Sequence, residues 1–514
     1  MSFQEVSEVF SKLVKSVADV YRGYHQYTMI ETICCGMLIG EPVLLIGSHG
    51  VFKTSMAAFI GNLFDKPVVT LRHKFKGREE LEKFFDELAG RLNVDCKNLM
   101  SNLVDGVNIE YEQYNDVVTV NIEIDLVKHP AAETLGSVRR VPVRVFNMQV
   151  NDQMDPEDIM GYSIDHPAIL GQKPPHAVKS GKISGADIVV IDECFNAPRL
   201  LSKLHHALNE KVVDTNIGQI ETKPLAWILA TNPLNQFYQT NLQIVNVATA
   251  DRYALSARSL PPSAQEVLLM NERWKKMKLA KKIPVELVYQ ARKYIEEVTI
   301  PEEFIVFCMG IVSHLSRCYF ATSTSVRYEE SKDPFETDKE CSLCIYNEYP
   351  CGLANVGKVR TMIRLQQAMK AHAFLNMRQT ADYADLNYAL LAVLPHRLSW
   401  NNKEFLAQYG SIYTATKELI NKYILYFTSS RLNIREIEDL IKKPDATQAK
   451  ELREKYADAL VIRALLDEII DMIKEAARKK DETTALDILE PQLKLKMAIE
   501  SINASANTAT KAKR

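Results

Sequence analysis

The distribution of apolar residues divides the chain into an α/β part and a helical part. The runs 43–46, 188–191 and 225–230 are apolar without interruption. Such runs are typical of strands that are buried on both faces of a parallel sheet. Residues 1–40 have apolar side chains at helical spacing instead. Helical patterns predominate beyond Pro261-Pro262, so we predict a domain boundary at about residue 260.

A third pattern lies between the first two apolar runs. Residues 105–146 contain alternating apolar and polar positions, with valine or isoleucine at 118, 120, 122 and 124 and valine at 141, 143 and 145. A period of two is typical of strands with one face in the core and the other in water. We therefore predict an antiparallel β insertion in this segment.

Length and composition indicate a multidomain globular protein. The chain has 514 residues, of which 46% are hydrophobic. It is longer than one hydrophobic core can accommodate, because single cores stop growing at roughly 250–300 residues. The 63 basic and 65 acidic residues give a net charge of −2. A protein whose main role is to bind nucleic acid usually has a basic excess, so the charge balance argues against that class.

The sequence also predicts a cytoplasmic protein without a membrane span. The first residues lack the order of a secretory signal. The longest apolar stretch, 29–46, is interrupted by Glu31, Glu41 and Pro42, whereas a span needs about 20 apolar residues. In the cytoplasm we expect the nine cysteines to be buried thiols or metal ligands and not disulfides.

A glycine-containing loop follows the first buried strand and precedes a helix. In such a loop, backbone N–H groups can point at phosphate oxygens. Lys53 would reach the β- and γ-phosphates of ATP, and the Thr54 hydroxyl would bind Mg²⁺. Phe52 departs from the usual pattern, which has glycine before the lysine. The predicted nucleotide-binding residues are Gly47, Ser48, His49, Gly50, Val51, Phe52, Lys53, Thr54 and Ser55.

Polar residues follow the next two buried strands. Asp192 and Glu193 end the strand 188–191, and an acidic pair there can hold Mg²⁺ and activate water. Asn232 follows the strand that ends at Thr231. Because ligands bind outside the carboxyl ends of parallel strands, we expect these side chains to lie close to the loop.

These segments, in this order, resemble the AAA+ ATPases, and the residues between them resemble the MoxR family in particular. Four stretches carry the resemblance: Met154–Gly161, Gly181–Asp187, Asp192–Pro198 and Ala250–Tyr253. It covers roughly residues 30–75, 146–260 and 350–395. The implied fold is α/β, an AAA+ P-loop nucleotide-binding domain with a parallel sheet, followed by a helical lid and a helical C-terminal region.

The resemblance implies a role for each matching residue. Lys53 and Thr54 become the P-loop ligands, Asp192 the acid on the Mg²⁺ side and Glu193 the hydrolytic glutamate. Asn232 takes the sensor-1 position. Arg252 becomes the arginine finger that enters a neighbouring subunit's site. Arg360 falls at the lid's sensor-2 position, for which Arg364 competes.

The implied domains are a nucleotide-binding domain (1–260), a lid (261–395) and a C-terminal helical arm (396–514) with a disordered tail from about 503. The implied function is ATP-driven remodelling or assembly of a protein client by a homo-oligomeric, hexameric ring. MoxR relatives often act with a separate von Willebrand factor A domain protein. Two alternatives stay open: a nucleic-acid motor or loader, and a scaffold that binds nucleotide with little turnover. The family pattern does not account for the β insertion.

A cysteine cluster lies in the predicted lid. Cys341 and Cys344 have the C-x2-C spacing of a zinc knuckle, and Cys351 follows in the same polar loop, 318–351. A structural Zn²⁺ would need a fourth ligand, for which Cys318 leads and Cys308 and His314 are rivals. Cys34, Cys35 and Cys194 lie in apolar sequence, so we expect them to be buried thiols.

Overall fold

The structure is a computed structural model, and the chain forms two compact units. The first comprises Met1–Glu297 and Leu375–Met377, and the second comprises Val298–Phe374 and Arg378–Arg514. The residues that the structure describes are 1–20, 24–48, 50–100, 104–114, 117–151, 153–154, 183, 185–196, 198–215, 218–232, 250–261, 267, 282–316, 350–429, 446–455 and 470.

The described elements of the first unit include both helices and strands. In chain order they are α1 (Phe3–Val20), α2 (Tyr24–Ile39), β1 (Val43–Ile46), α3 (Lys53–Gly61), β2 (Phe64–Phe75), α4 (Arg78–Leu92), α5 (Cys96–Met100), β3 (Val107–Tyr114), β4 (Val117–Asp125), β5 (Val138–Pro142), β6 (Val145–Gln149), β7 (Ile188–Asp192), α6 (Pro198–Glu210), β8 (Val212–Thr215), β9 (Gly218–Glu221), β10 (Ala226–Thr231), β11 (Leu255–Arg258), β12 (Ile283–Pro284) and α7 (Glu286–Glu297). Short 3-10 helices span Pro130–Leu135 and Cys194–Asn196.

A five-stranded parallel sheet forms the centre of the first unit. Its order is β11-β1-β10-β7-β6, and every adjacent pair runs parallel. The uninterrupted apolar runs form β1, β7 and β10, whose apolar residues are buried. The prediction of buried parallel strands is therefore confirmed. Because β10 lies between β1 and β7, the carboxyl ends of these three strands are neighbours.

A second sheet is formed mainly by strands that lie between α3 and β6 in the sequence. Its order is β12-β2-β4-β3, with β5 paired to β2. Helices α4 and α5 contribute to its apolar core, together with the alternating apolar residues of β2, β3 and β4. The predicted segment 105–146 contains β3, β4 and β5. The sheet also includes β2 and β12, and Val145 begins β6 of the parallel sheet instead.

A buried ion cluster connects the two sheets. The Lys66 ammonium contacts Asp187 at 2.7 Å and Asp125 at 3.2 Å, and all three side chains are at most 7% exposed. The backbone N–H of Arg144 donates to the second carboxylate oxygen of Asp187 at 2.8 Å. Asp187 immediately precedes β7, so the cluster links the insertion to the strand that carries Asp192.

The first unit extends beyond the proline pair at 261–262. Strand β12 pairs with β2, and Arg292 of α7 donates to the carbonyls of Met37 at 2.8 Å and Leu225 at 3.0 Å. Those carbonyls lie near the end of α2 and just before β10. Elements downstream of the predicted boundary thus belong to the same compact unit as the parallel sheet.

The second unit is mainly helical in its described part. Its elements are α8 (Glu302–Leu315), α9 (Pro350–Leu353), β13 (Ala354–Asn355), α10 (Lys358–Leu375), α11 (Tyr383–Val393), β14 (Ser399–Trp400), α12 (Lys403–Tyr409), α13 (Ile412–Ser429) and α14 (Ala446–Lys455). The predicted disordered tail lies outside the described residues. A search of the described helices finds none with the length and apolarity to cross a membrane.

A polar centre organises the second unit. Asp385 is buried and accepts hydrogen bonds from His372 at 2.6 Å and Arg378 at 2.5 Å. Asp382 caps α11 and forms a reciprocal capping box with Asp385. Burial alone would raise the pKa of Asp385, but the hydrogen bonds, led by His372, lower it overall. The hydrogen bonds therefore outweigh burial and favour the ionised form of this carboxylate.

Candidate nucleotide-binding site

The loop between β1 and α3 is held tightly against two other strands. The Gly47 N–H donates to the carbonyl of Thr231, at the end of β10, at 3.1 Å. A Cβ on Gly47 would lie 2.5 Å from the backbone oxygen of Ser259, which follows β11. Only glycine fits this close approach of two backbones.

Two residues of the loop have left-handed backbone conformations. Gly50 has φ 74°, which costs glycine little. Phe52 has φ 61° and ψ 15° and directly precedes α3. A bulky residue is strained in this region, so the position where the P-loop pattern has glycine is one that favours glycine.

The Lys53 side chain folds back onto the first residues of the loop. Its ammonium is buried and donates to the carbonyls of Gly47 at 2.6 Å and Ser48 at 2.8 Å. Burial lowers the pKa of Lys53, and the carboxylates of Asp192 and Glu193 partly offset that effect. The lysine thus lies at the start of α3, where backbone N–H groups and the helix dipole favour an anion.

The two residues predicted to hold Mg²⁺ are in direct contact. The Thr54 hydroxyl donates to a carboxylate oxygen of Asp192 at 2.5 Å, across 138 residues of sequence. Both groups offer oxygen ligands, which Mg²⁺ prefers, and nucleotide-bound Mg²⁺ usually takes only one or two protein ligands. The donor set therefore fits an Mg²⁺–nucleotide complex.

Glu193 is held in a specific orientation beside Asp192. Its backbone is left-handed, with φ 54°, and its N–H donates to the Asp192 carboxylate at 2.9 Å. Its own carboxylate accepts from the Asn196 amide at 3.0 Å. The 3-10 turn that follows β7 therefore fixes both acids, with Asp192 turned towards Thr54 and Glu193 towards Asn196.

The other predicted residues divide between the two units. Asn232 is half-buried directly after β10, so it lies at the same sheet edge as the loop. Arg252 is half-buried in the turn before β11. Arg360 is exposed in the first turn of α10, and Arg364 lies one turn later, both in the second unit. His49 lies outside the described residues, and Ser55 is exposed in the first turn of α3.

The zinc prediction is covered only in part by the described residues. Cys318, Cys341 and Cys344 lie outside them, while Cys351 is buried in α9. Among the described residues there is no group of three side chains that could hold a metal ion. The rivals Cys308 and His314 are both buried in α8. Cys34, Cys35 and Cys194 are buried, as expected.

Two residues of the site carry no role in the sequence prediction. Asn196 holds the Glu193 carboxylate, and its position three residues beyond that acid was a usable local signal. Ser259 contacts both ends of the loop. Ser259 lies 208 residues from its side-chain partner, so no local pattern could indicate it.

One segment of the chain matches a known protein family. Residues 349–411 match the family model described as an AAA lid domain. A search of the curated proteins found no significant match. Among solved structures, the chain is similar to the 2.00 Å crystal structure of a proposed ATPase from Cytophaga hutchinsonii ATCC 33406, with 18% identity and a TM-score of 0.49, over 81% of this chain and 96% of that one.

Fold and lid together define the class. The loop between β1 and α3 lies at the carboxyl edge of a five-stranded parallel sheet, and a largely helical unit that contains the AAA lid match follows in the sequence. The fold is therefore α/β with a five-stranded parallel sheet, followed by a helical region that includes the segment matching an AAA lid domain. This confirms the fold class expected from the sequence.

Proposed function

We propose that the chain is an ATPase of the AAA+ class and MoxR type. The observation that carries the proposal is the contact between Thr54 and Asp192 at 2.5 Å, beside the buried Lys53. Phosphoryl-transfer sites of the P-loop class combine a lysine and a hydroxyl at a helix N-terminus with an acid from a neighbouring strand. The AAA lid at 349–411 supports the same class.

Each residue would have a distinct role in hydrolysis. Lys53 would bind the β- and γ-phosphate oxygens, and Thr54 and Asp192 would hold Mg²⁺, which neutralises charge that develops on the phosphates. Glu193 would orient the attacking water and accept its proton. Asn196 holds that carboxylate in place, since its amide already donates to it at 3.0 Å. Asn232 would bind the water or the γ-phosphate from the next strand.

The site would be completed by a second copy of the chain. Arg252 would stabilise transition-state charge in the neighbouring subunit, and Arg360 would act from the lid. Such sharing requires a closed homo-oligomer, and we propose a hexameric ring. ATP turnover would drive remodelling or assembly of a protein client, with a von Willebrand factor A domain protein as the candidate partner. A structural Zn²⁺ on Cys318, Cys341, Cys344 and Cys351 stays a prediction.

Two substitutions test the proposal. Lys53→Ala should lose ATP affinity, because the phosphates lose their main positive contact. Glu193→Gln should bind ATP but hydrolyse it at least about 100-fold more slowly, because an amide cannot accept the proton. Isothermal titration and steady-state phosphate release measure the two quantities. Glu210→Gln, an exposed glutamate at the end of α6, is the matched control and should behave as wild type.

One observation favours a second candidate, a nucleotide-binding scaffold with little turnover. Phe52 occupies the left-handed position before Lys53, where its ring stands in place of glycine. If wild-type protein binds Mg²⁺–ATP tightly but releases no phosphate above the rate of Glu193→Gln, the scaffold is correct and the ATPase proposal is wrong.

A further inference from the structure

Ser259 lies at the junction of β11 and the P-loop. It directly follows β11, and it is 2% exposed. Its backbone N–H donates to the carbonyl of Ile46, the last residue of β1, at 2.8 Å. The backbone carbonyl of Ser259 occupies the space that a side chain on Gly47 would need. The serine therefore fixes the beginning of the loop through its backbone.

The side chain of Ser259 fixes the other end. Its hydroxyl donates to the carbonyl of Val51 at 2.9 Å, and Val51 is 2% exposed. A buried carbonyl without a donor is costly, so this bond determines where the carbonyl points. Val51 lies between β1 and α3, and none of the backbone N–H groups in the described part of the chain donates to its carbonyl.

The orientation of that carbonyl determines the orientation of an adjacent donor. A peptide unit is planar and trans, so its C=O and N–H point in opposite directions. The carbonyl of Val51 points at Ser259, and the N–H of Phe52 must therefore point away from Ser259. In a P-loop, N–H groups at this position face the phosphates.

We propose that Ser259 is a positioning residue for the phosphate-binding loop. It holds the Val51–Phe52 peptide so that the Phe52 N–H points away from Ser259, in the direction from which an anion would approach the loop. The strained φ of Phe52 makes such a restraint necessary, since an unrestrained peptide would rotate to relieve the strain. The identity of the anion as an ATP phosphate rests on the proposed function.

The experiment compares Ser259→Ala with Ser256→Ala. Both remove the hydroxyl of a buried serine, but Ser256 lies inside β11 and pairs with Leu44 in the middle of β1, away from the loop. We expect the KM for ATP to rise about tenfold in Ser259→Ala with kcat within about twofold, as loss of one buried hydrogen bond predicts. Ser256→Ala should keep the wild-type KM.

Hydrogen exchange tests the restraint without nucleotide. Ser259→Ala should accelerate amide exchange in the peptide that contains residues 47–53 and leave β4 unchanged; Ser256→Ala should not accelerate the loop. An unchanged KM and unchanged loop exchange in folded Ser259→Ala would overturn the inference. If wild-type protein binds no ATP, the proposed function fails, and the exchange comparison alone decides the role of Ser259. If Ser259→Ala does not fold, Ser259→Thr replaces it, because threonine retains the hydroxyl. We expect Ser259→Thr to fold with near-wild-type amide exchange in residues 47–53. Faster exchange in that variant would overturn the inference.

Discussion

Two non-glycine residues with left-handed backbones, Phe52 and Glu193, flank the candidate site. Their φ angles are 61° and 54°. Such conformations cost an L-residue roughly 1–2 kcal/mol, and they persist where the surrounding structure holds them. Here the contacts that hold them are those of Ser259 on the loop and of Asp192 on the acidic turn. Both strained residues adjoin the groups proposed to act on ATP, since Phe52 precedes Lys53 and Glu193 follows Asp192.

The strain at Phe52 can be measured by comparing two substitutions. Phe52→Gly and Phe52→Ala both remove the ring, but only alanine keeps the left-handed penalty. We expect the free energy of unfolding to be about 1 kcal/mol higher for Phe52→Gly than for Phe52→Ala. Urea unfolding provides the measurement. The control is Ala58→Gly in the middle of α3. That substitution should lower the free energy of unfolding by about 1 kcal/mol, because glycine is unfavourable inside a helix. Equal stabilities at position 52 would show that its backbone is not strained.

Local sequence is sufficient to find some residues of the site. Lys53, Thr54 and Asp192 could be predicted because each occupies a fixed place relative to a buried strand. Ser259 could not, because its importance depends on a carbonyl far away in the chain. The strain at Phe52 could be suspected only from the missing glycine, and the φ angle shows where it arises.

At the scale of elements, the strands buried on both faces could be predicted and β2 could not. Strand β2, Phe64–Phe75, contains Pro67, three basic residues and a histidine, a composition typical of a polar segment. It forms a strand because Val69, Leu71 and Phe75 face the core with α4, while its basic residues mostly face solvent. Lys66 is buried only because two aspartates from other segments meet it. Such compensation depends on tertiary structure and is invisible in one segment.

The Lys66 cluster should be essential for joining the two sheets. Lys66→Met removes the cation and leaves Asp125 and Asp187 buried close together. Breaking a buried ion pair in this way costs about 3–5 kcal/mol. Arg139→Met is the matched control, because its contact with Glu123 at 3.4 Å is largely exposed and should cost under about 1 kcal/mol. A loss below 1 kcal/mol for Lys66→Met in urea unfolding would contradict the proposed linkage.

Acid should destabilise the second unit through His314. Burial lowers the pKa of His314 from 6.5 to about 3, so the residue stays neutral in the folded state. As the pH falls, the unfolded state binds the proton first. The contribution of His314 to the free energy of unfolding is therefore fully present above pH 6.5 and decreases below it. The expected slope is about 1.4 kcal/mol per pH unit between pH 6 and 4.

Comparison with a non-titrating variant isolates that contribution. His314→Gln should lose stability at pH 7 but show a shallower decrease between pH 6 and 4 than wild type. Thermal unfolding at several pH values gives both slopes. His206, an exposed histidine of α6, provides the control, and His206→Gln should retain the wild-type slope. Identical slopes in His314→Gln and wild type would exclude His314 as the acid-sensitive group.

At the scale of the whole molecule, sequence predicts the class of fold but not the order of the strands. The first strand along the chain lies between the fifth and fourth strands of the parallel sheet. That order brings Gly47, Asn232 and Asp192 to one edge, although the segments are separated by an insertion with its own core. The extent of the first unit also depends on pairing between β12 and β2, which no local pattern indicates.

The proposed sharing of a site between subunits makes a prediction that only an assembly can satisfy. Arg252 lies in the turn before β11, and as an arginine finger it would act on the ATP of the adjacent subunit. An arginine finger is worth about 10³–10⁵ in rate, so Arg252→Ala should bind ATP with wild-type affinity but hydrolyse it at least about 10³-fold more slowly. Lys53→Ala should be inactive because its own loop no longer binds the phosphates.

Mixing these two inactive variants should restore activity. In a ring with random order, about a quarter of the interfaces in an equal mixture pair an intact loop with an intact arginine, so about a quarter of the wild-type rate is expected. The control replaces Lys53→Ala by the double variant Lys53→Ala/Arg252→Ala, which supplies no arginine and should restore nothing. Native mass spectrometry confirms that mixed rings have formed. If mixed rings form and remain inactive, Arg252 does not act across the subunit interface, because every mixed ring of this kind contains sites in which both groups are present.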